Sequence, residues 1–143
     1  MAKVDDVAAA ILKRCGPTAT WKFQKLAFYC QAWHLVWEGV PLFGDHVEAW
    51  AIGPVVPTLY EQHKGEFILN SWSSGDPGAL TGDESSSVDA AIETYGPKSG
   101  QWLTALVHME RPWIDARRNL DPEERGHSEI SPEAMAEYYG SLT

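Results

Sequence analysis

Histidines are the side chains of this sequence with the widest chemical use, because imidazole binds metal ions and carries protons near neutral pH. The chain has five of them: His34, His46, His63, His108 and His127. Helical zinc sites place two histidines four residues apart, and no two of these histidines have that spacing. We therefore predict no metal site.

His108 also belongs to a short fragment with a known chemical use. Together with Glu110 it forms the HxE of zinc deaminases. Those enzymes need a PCxxC segment further along the chain, and no cysteine follows Cys30. The favoured interpretation of His108 is a hydrogen-bonded histidine at the end of a core helix.

Motifs for covalent catalysis and for phosphate binding are missing from the sequence. It contains no GxSxG, no GxxxxGK[ST] and no GxGxxG. The adjacent carboxylates Asp83–Glu84 and Glu123–Glu124 lie in polar stretches, where solvation or helix capping is their ordinary role. We predict that the protein is not an enzyme and has no catalytic residues and no cofactor.

Binding chemistry is better represented than catalytic chemistry. Trp21, Lys22, Lys25, Phe28 and Tyr29 combine the cationic and aromatic side chains that single-stranded nucleic acids bind. Two lysines are too few to bind the phosphate backbone of a nucleic-acid strand, and the chain is acidic overall. We therefore predict no direct contact with nucleic acid.

A second cationic cluster surrounds Trp113 and consists of Arg111, Arg117 and Arg118. Arginine and tryptophan dominate the energetics of protein interfaces when they are partly buried. The alternative is local ion pairing with acids such as Glu110 and Asp115. The sequence leaves both interpretations open.

The charge is strongly acidic and unevenly distributed. Twenty Asp and Glu face eleven Lys and Arg, with a pI near 4.9. Residues 1–40 nevertheless hold five basic and three acidic residues, which makes this part mildly basic. Such a balance disfavours DNA or an anionic membrane as the main partner.

The two cysteines and the N-terminus indicate the compartment. Cys15 and Cys30 are too few and too widely spaced for a secreted disulfide framework, and a bond between them is the lesser alternative. Residues 1–15 lack the layout of a signal peptide, and no apolar run is long enough for a membrane span. We predict a cytoplasmic protein with no membrane contact.

Apolar spacing predicts a mainly α fold, a single compact helical domain over residues 1–143. Seven helical segments are expected, with at most one short β-strand pair near residues 40–52. Their approximate ranges are 4–15, 20–38, 55–63, 83–95, 99–107, 113–118 and 131–139, the last within a C-terminal segment, 121–143. Asp5, Thr20, Ser99 and Ser131 are the predicted N-caps, and Gly39 the predicted stop of the second helix.

The second helix carries more aromatic side chains than one apolar stripe can bury. These are Trp21, Phe23, Phe28, Tyr29, Trp33 and Trp37. Either the helix is central and covered on several sides, or part of its aromatic surface is free for a partner.

The stretch from Val47 to Gly65 predicts a stiff turn that leads into a short helix. Gly53 permits backbone angles that other residues avoid, while Pro54 and Pro57 fix theirs. Trp50 and Tyr60 flank this turn. They either seal the core under the second helix or present a rigid surface to a partner.

Three segments together resemble one family, the Panacea or SocA-like antitoxin domain, also described as phage-associated GepA-like proteins. They are FQKLAFYCQAWHLVWEGVPLF (Phe23 to Phe43), VEAWAIGPVVPTLY (Val47 to Tyr60) and YGPKSGQWLTALVHMERPWIDAR (Tyr95 to Arg117). The order and spacing of QKL(x)2Y(x)2AWHL, PLF, EAWxxGPVVPxLY and LTxLxHxExPW make the resemblance specific. It is strongest over residues 4–118.

The resemblance implies an antitoxin of a toxin–antitoxin system, which neutralises a cognate protein toxin by direct binding. Toxins of this family include inhibitors of translation and alarmone-synthetase-like enzymes, usually encoded by the adjacent gene. The alternative is a proteolytic adaptor that delivers the toxin to a cytoplasmic protease. A third interpretation is an enzyme with an unrecognised site around Trp50, His108 and Trp113.

The expected partner-binding residues combine the stiff turn with the last resembling segment. They are Trp50, Gly53, Pro54, Pro57, Tyr60, His108, Glu110, Trp113 and Arg117.

Overall fold

The computed structural model describes residues 1–118 and 120–143, which form seven α-helices, one 3₁₀ helix and five short strands. The helices are α1 (Val4–Cys15), α2 (Thr20–Glu38), α3 (Pro57–His63), α4 (Gly82–Tyr95), α5 (Gly100–Val107), α6 (Arg111–Arg117) and α7 (Pro132–Gly140). The strands are β1 (Thr18–Ala19), β2 (Val47–Trp50), β3 (Gly53–Val55), β4 (Ile68–Leu69) and β5 (Glu129–Ile130), and the 3₁₀ helix is Pro77–Ala79. The prediction of a mainly α fold is confirmed.

The strands form two small antiparallel sheets. β2 lies between β3 and β5, and β1 pairs with β4. The β2–β3 hairpin corresponds to the strand pair expected near residues 40–52, but its second strand, β3, lies just beyond that range, where a turn and the start of a helix were predicted. The prediction of at most one strand pair was wrong, because β1 pairs with β4 and β5 with β2 as well. The other pairings involve strands of two residues, which are too short to show hydrophobic alternation in the sequence.

α2 is the central element of the fold. It packs against α1, α4, α5, α7 and β3, and Phe23, Phe28 and Tyr29 are fully buried. The side chains near its two ends remain open, with Trp21 38% and Trp37 46% exposed. α2 is therefore central and covered on several sides, and Trp21 and Trp37 are the rings that it leaves exposed.

Two buried glutamines of α2 hold the segments that follow it. The Gln31 side chain accepts from the Leu42 amide at 2.7 Å and donates to the Phe43 carbonyl at 2.9 Å. Gln24 accepts from the Val56 amide at 2.8 Å, and its amide nitrogen lies 2.9 Å from His63 Nε2. These contacts position the β2–β3 hairpin and the start of α3.

The predicted helix ends were right at three positions and wrong at two. Ser99 and Ser131 cap α5 and α7, and Gly39 ends α2 in the left-handed conformation. Thr20 is instead the first residue of α2, after an Ala19 N-cap whose side chain makes no cap bond. Asp5 lies in the first turn of α1, where a carboxylate favours the helix dipole without capping it.

Cys15 and Cys30 are free thiols, so the disulfide left open by the sequence is absent. None of the described helices combines the length and the apolar character needed to cross a bilayer.

Candidate partner-binding surface

The stiff turn brings Trp50 and Tyr60 into direct contact. Trp50 ends β2, Tyr60 lies on α3, and their ring centroids are 4.9 Å apart in an edge-on arrangement. Gly53 between them has a φ of 132°, a conformation that L side chains rarely adopt. A Cβ at this position would lie 3.0 Å from Lys25 Cε, so the end of the lysine would have to shift, and the backbone conformation itself favours glycine.

Glu48 fixes the orientation of the Trp50 ring. Its carboxylate accepts from Trp50 Nε1 at 2.8 Å and lies 2.7 Å from His46 Nε2 and 3.4 Å from His127 Nδ1. Burial raises the pKa of the Glu48 carboxyl, but the hydrogen bonds from Trp50, His46 and His127 outweigh burial and lower it. Glu48 is therefore a carboxylate at neutral pH and an acceptor for all three rings.

Trp21 completes the aromatic surface from the first turn of α2. Its ring stacks on Tyr60 with centroids 6.0 Å apart and an interplanar angle of 19°. A cavity of about 410 Å³ opens beside it, which we call the aromatic groove. It is lined by Trp21, Trp50, Ala51, Ile52, Tyr60, Arg125, Gly126 and His127.

A second cavity, of about 400 Å³, lies against the same Trp21 and is here called the lysine cavity. It is lined by Ala19, Trp21, Lys22, Lys25, Gly100, Gln101, Thr104 and Ala105. Trp21 is thus shared by two open cavities of similar size, one mainly aromatic and one with two lysines.

A stack of side chains supports the aromatic groove from behind. Trp113 donates from Nε1 to the Trp50 carbonyl at 2.8 Å. His108 lies parallel to the Trp113 ring at 3.9 Å, and the Arg117 guanidinium lies 5.0 Å from it. Burial lowers the pKa of His108, and the positive charges of Lys25 and Arg117 lower it further. His108 is therefore a neutral, partly buried ring that packs against Trp113.

The arginines around Trp113 have different roles. Arg117 is buried, and its guanidinium donates to the carbonyls of Ala49, Asp121 and Glu124. Arg111 is exposed and pairs with Asp115 one turn along α6 at 3.1 Å. Local pairing therefore describes Arg111, whereas Arg117 joins β2 to the segment after α6.

Glu110 belongs to the core and lines neither cavity. It is 5% exposed, and its Oε1 accepts from Tyr29 Oη at 2.6 Å and from Tyr139 Oη at 2.7 Å. Burial raises the pKa of the Glu110 carboxyl, while the two tyrosine hydrogen bonds lower it by less. The carboxyl joins α2 to α7.

The nine residues expected to bind a partner therefore occupy different depths. Trp50, Pro57, Tyr60 and His108 are half-buried, whereas Gly53, Pro54, Glu110, Trp113 and Arg117 are buried. Only Trp50 and Tyr60 line the aromatic groove. The five buried residues can affect a partner only by holding these rings in place.

Sequence reasoning did not include Trp21, Glu48, Arg125 and His127 among the site residues. One signal was present for Glu48, because positions two apart on a strand share a face and Trp50 follows it by two. Arg125 and His127 lie in a charged loop with no local pattern that would single them out.

The described part of the chain contains no group of three or more His, Cys, Asp or Glu arranged to hold a metal ion.

In comparisons with known proteins, a family model described as "Antitoxin SocA-like, Panacea domain" matches residues 23–114. Neither a curated protein nor a solved structure gives a match. The matched range contains Trp50 and Tyr60, whereas Trp21, Arg125 and His127 of the aromatic groove lie outside it.

Proposed function

Because the chain belongs to the SocA-like antitoxin family and carries its Panacea domain, we propose that it neutralises a cognate protein toxin by direct contact through the aromatic groove. The observation that supports this surface is the fixed cluster of half-open rings formed by Trp21, Trp50 and Tyr60. Tryptophan, tyrosine and arginine are the side chains most often found at binding hot spots. Here they surround one cavity, with Arg125 at its border.

The geometry lowers the cost of binding. Trp50 is held by Glu48 through its indole nitrogen and by Trp113 through its carbonyl. Immobilising a rotamer-rich side chain on binding costs about 0.5–1.5 kcal/mol, and rings already held in place avoid much of that cost. The buried residues of the predicted set contribute by this support.

The partner we propose is a toxin encoded by the adjacent gene, of the translation-inhibiting or alarmone-synthetase-like kind, and the site of action is the cytoplasm. Neutralisation is stoichiometric and needs no catalysis. The net charge of −9 would steer a basic toxin towards the protein. An affinity unchanged by high salt would show that this attraction is unimportant.

Trp21→Ala and Trp37→Ala form a matched pair for testing the surface. Both tryptophans are exposed residues of α2, and sixteen residues of helix separate them by about 24 Å. Each variant is co-expressed with the neighbouring gene, and growth and co-purification are measured. Trp21→Ala and Tyr60→Ala should lose neutralisation, whereas Trp37→Ala should keep it. Loss with Trp37→Ala alone would move the binding surface to the other end of α2.

A strain that lacks the cytoplasmic proteases distinguishes sequestration of the toxin from its proteolytic delivery. If the protein only sequesters its toxin, toxicity stays suppressed when the cytoplasmic proteases are deleted. If the protein is an adaptor, the toxin accumulates in that strain and growth stops. The same assay with His108→Ala tests the enzyme interpretation, which predicts loss of function with folding and partner binding intact.

A further inference from the structure

Lys25 is a buried cation that pairs with no carboxylate in the described part of the chain. It lies on α2 one turn after Trp21, and only 2% of its surface is exposed. Its ammonium group donates to the Trp21 carbonyl at a long 3.4 Å, and no described carboxylate forms an ion pair with it. Burial lowers the pKa of Lys25 to about 8, so the charged form is still present at neutral pH. Buried charges in proteins are normally paired, which makes this one unusual.

The surrounding structure keeps room for the lysine. Gly53 faces it, and a Cβ there would lie 3.3 Å from the lysine Nζ. His108 is close enough for the Lys25 charge to lower its pKa, and it offers no negative charge. The Lys25 side chain also lines the lysine cavity, and no described carboxylate balances its charge there.

The part of the lysine cavity formed by α5 is also favourable to an anion. α5 begins there, and the backbone N–H groups of Gly100 and Gln101 have no acceptor among the described residues. The N-terminal end of a helix carries partial positive charge. Lys22 adds a second cation, although its Nζ already donates to the Gly96 carbonyl at 2.7 Å.

We propose that the lysine cavity receives an aspartate or glutamate side chain of the toxin, whose carboxylate pairs with the Lys25 ammonium group. This inference rests on the proposed function and adds the chemistry of one contact to it. The aromatic groove and the lysine cavity share Trp21, so a protein seated on the groove also covers the cavity. The apolar walls formed by Ala19 and Ala105 suit the aliphatic stem of an acidic side chain.

This contact would make the fit selective in an otherwise acidic protein. The net negative charge of the protein attracts a basic toxin over a long distance, whereas the lysine cavity binds a carboxylate at one position of that toxin. A toxin without that carboxylate would gain no ion pair from Lys25, so its affinity would be lower.

The test uses the full-length protein and the toxin encoded by the neighbouring gene. Lys25→Met keeps the length of the side chain and removes the charge, so it should fold as stably as the unmutated protein or more so. Its affinity for the toxin should fall by about 30-fold or more, since truncation of one partner of a buried charge pair is strongly unfavourable. Lys13→Met, at an exposed lysine of α1, is the matched control and should bind normally.

Zero-length crosslinking of the unmutated complex tests the contact between Lys25 and a toxin carboxylate, and it does not depend on the folding of a variant. Carbodiimide joins an amine to a carboxylate in contact, and mass spectrometry should recover a peptide pair that links Lys25 to an acidic residue of the toxin. A complex that forms without this link, and that Lys25→Met leaves within about twofold of the original affinity, overturns the inference while the proposed function stands. If the unmutated proteins form no complex, the proposed function fails, and this inference fails with it.

Discussion

Substitution of Glu110 tests the buried network between α2 and α7. Its Oε1 is the acceptor for both Tyr29 Oη and Tyr139 Oη, at 2.6 and 2.7 Å. Glu110→Ala removes this acceptor and leaves two buried hydroxyls unpaired. Each buried unpaired group costs about 1–3 kcal/mol, so the free energy of unfolding should fall by roughly 2–6 kcal/mol. The emptied volume adds to this loss.

Glu110→Gln is the matched variant, because its amide oxygen can still accept from both tyrosines. It removes the charge whose burial raises the pKa of the carboxyl. At neutral pH we therefore expect a free energy of unfolding within about 1 kcal/mol of the unmutated protein, or above it.

The pH dependence has a defined sign. A raised carboxyl pKa means that the folded state holds its proton at pH values where the unfolded state has already lost it. The contribution of Glu110 to stability is therefore fully present below its ordinary pKa of 4.5 and is lost as the pH rises through the folded value. As the pH rises through this window, the unmutated protein should lose stability relative to Glu110→Gln, by at most about 1.4 kcal/mol of unfolding free energy per pH unit.

Urea unfolding followed by circular dichroism, at intervals from pH 4 to pH 8, measures these quantities. The other titratable groups facing Glu110 are Tyr29, Tyr95 and Tyr139, all with a raised pKa, so they stay protonated throughout. The reasoning is refuted if Glu110→Gln is as unstable as Glu110→Ala. It is also refuted if the difference from the unmutated protein does not change with pH.

Two further substitutions test how α2 holds the turn. Gly53→Ala should lower the free energy of unfolding by about 1–3 kcal/mol or more, because the φ of 132° strains any L side chain and the new methyl group meets Lys25. Thermal melting measures this loss, and an unchanged Tm would contradict the strain at Gly53. Gln24→Leu should cost roughly 2–5 kcal/mol, because it leaves the Val56 amide and His63 Nε2 without their partner. Gln101→Leu, at an exposed glutamine, is its control and should be close to neutral.

Much of the helical framework was predictable because its signals are local. Ser99 and Ser131 precede apolar helical spacing, and both cap the helices that follow. Gly39 ends α2 as expected. Thr20 was misplaced by one position because the preceding Ala19 fills the cap position without a side-chain bond, which no sequence pattern indicates.

The candidate surface was only partly predictable. Trp50 and Tyr60 were identified from the stiff turn between them, and the structure places them in contact. Glu110 and Arg117 were expected at a binding surface because they lie in the last of the three resembling segments. Their partners, tyrosine hydroxyls in one case and backbone carbonyls in the other, come from distant segments and allow both to be buried.

The sequence by itself determined the seven helices, the constrained backbone at Gly53 and Pro54, and membership of an antitoxin family, because spacing, capping and motif order are properties of neighbouring residues. Tertiary structure alone decided which rings meet. Trp21, Tyr60 and His127 lie on three separate segments, and they line one cavity only because α2, α3 and the loop before β5 pack together. Likewise, only the fold could bury Lys25 with no described carboxylate beside it, because pairing between charges depends on distance in space.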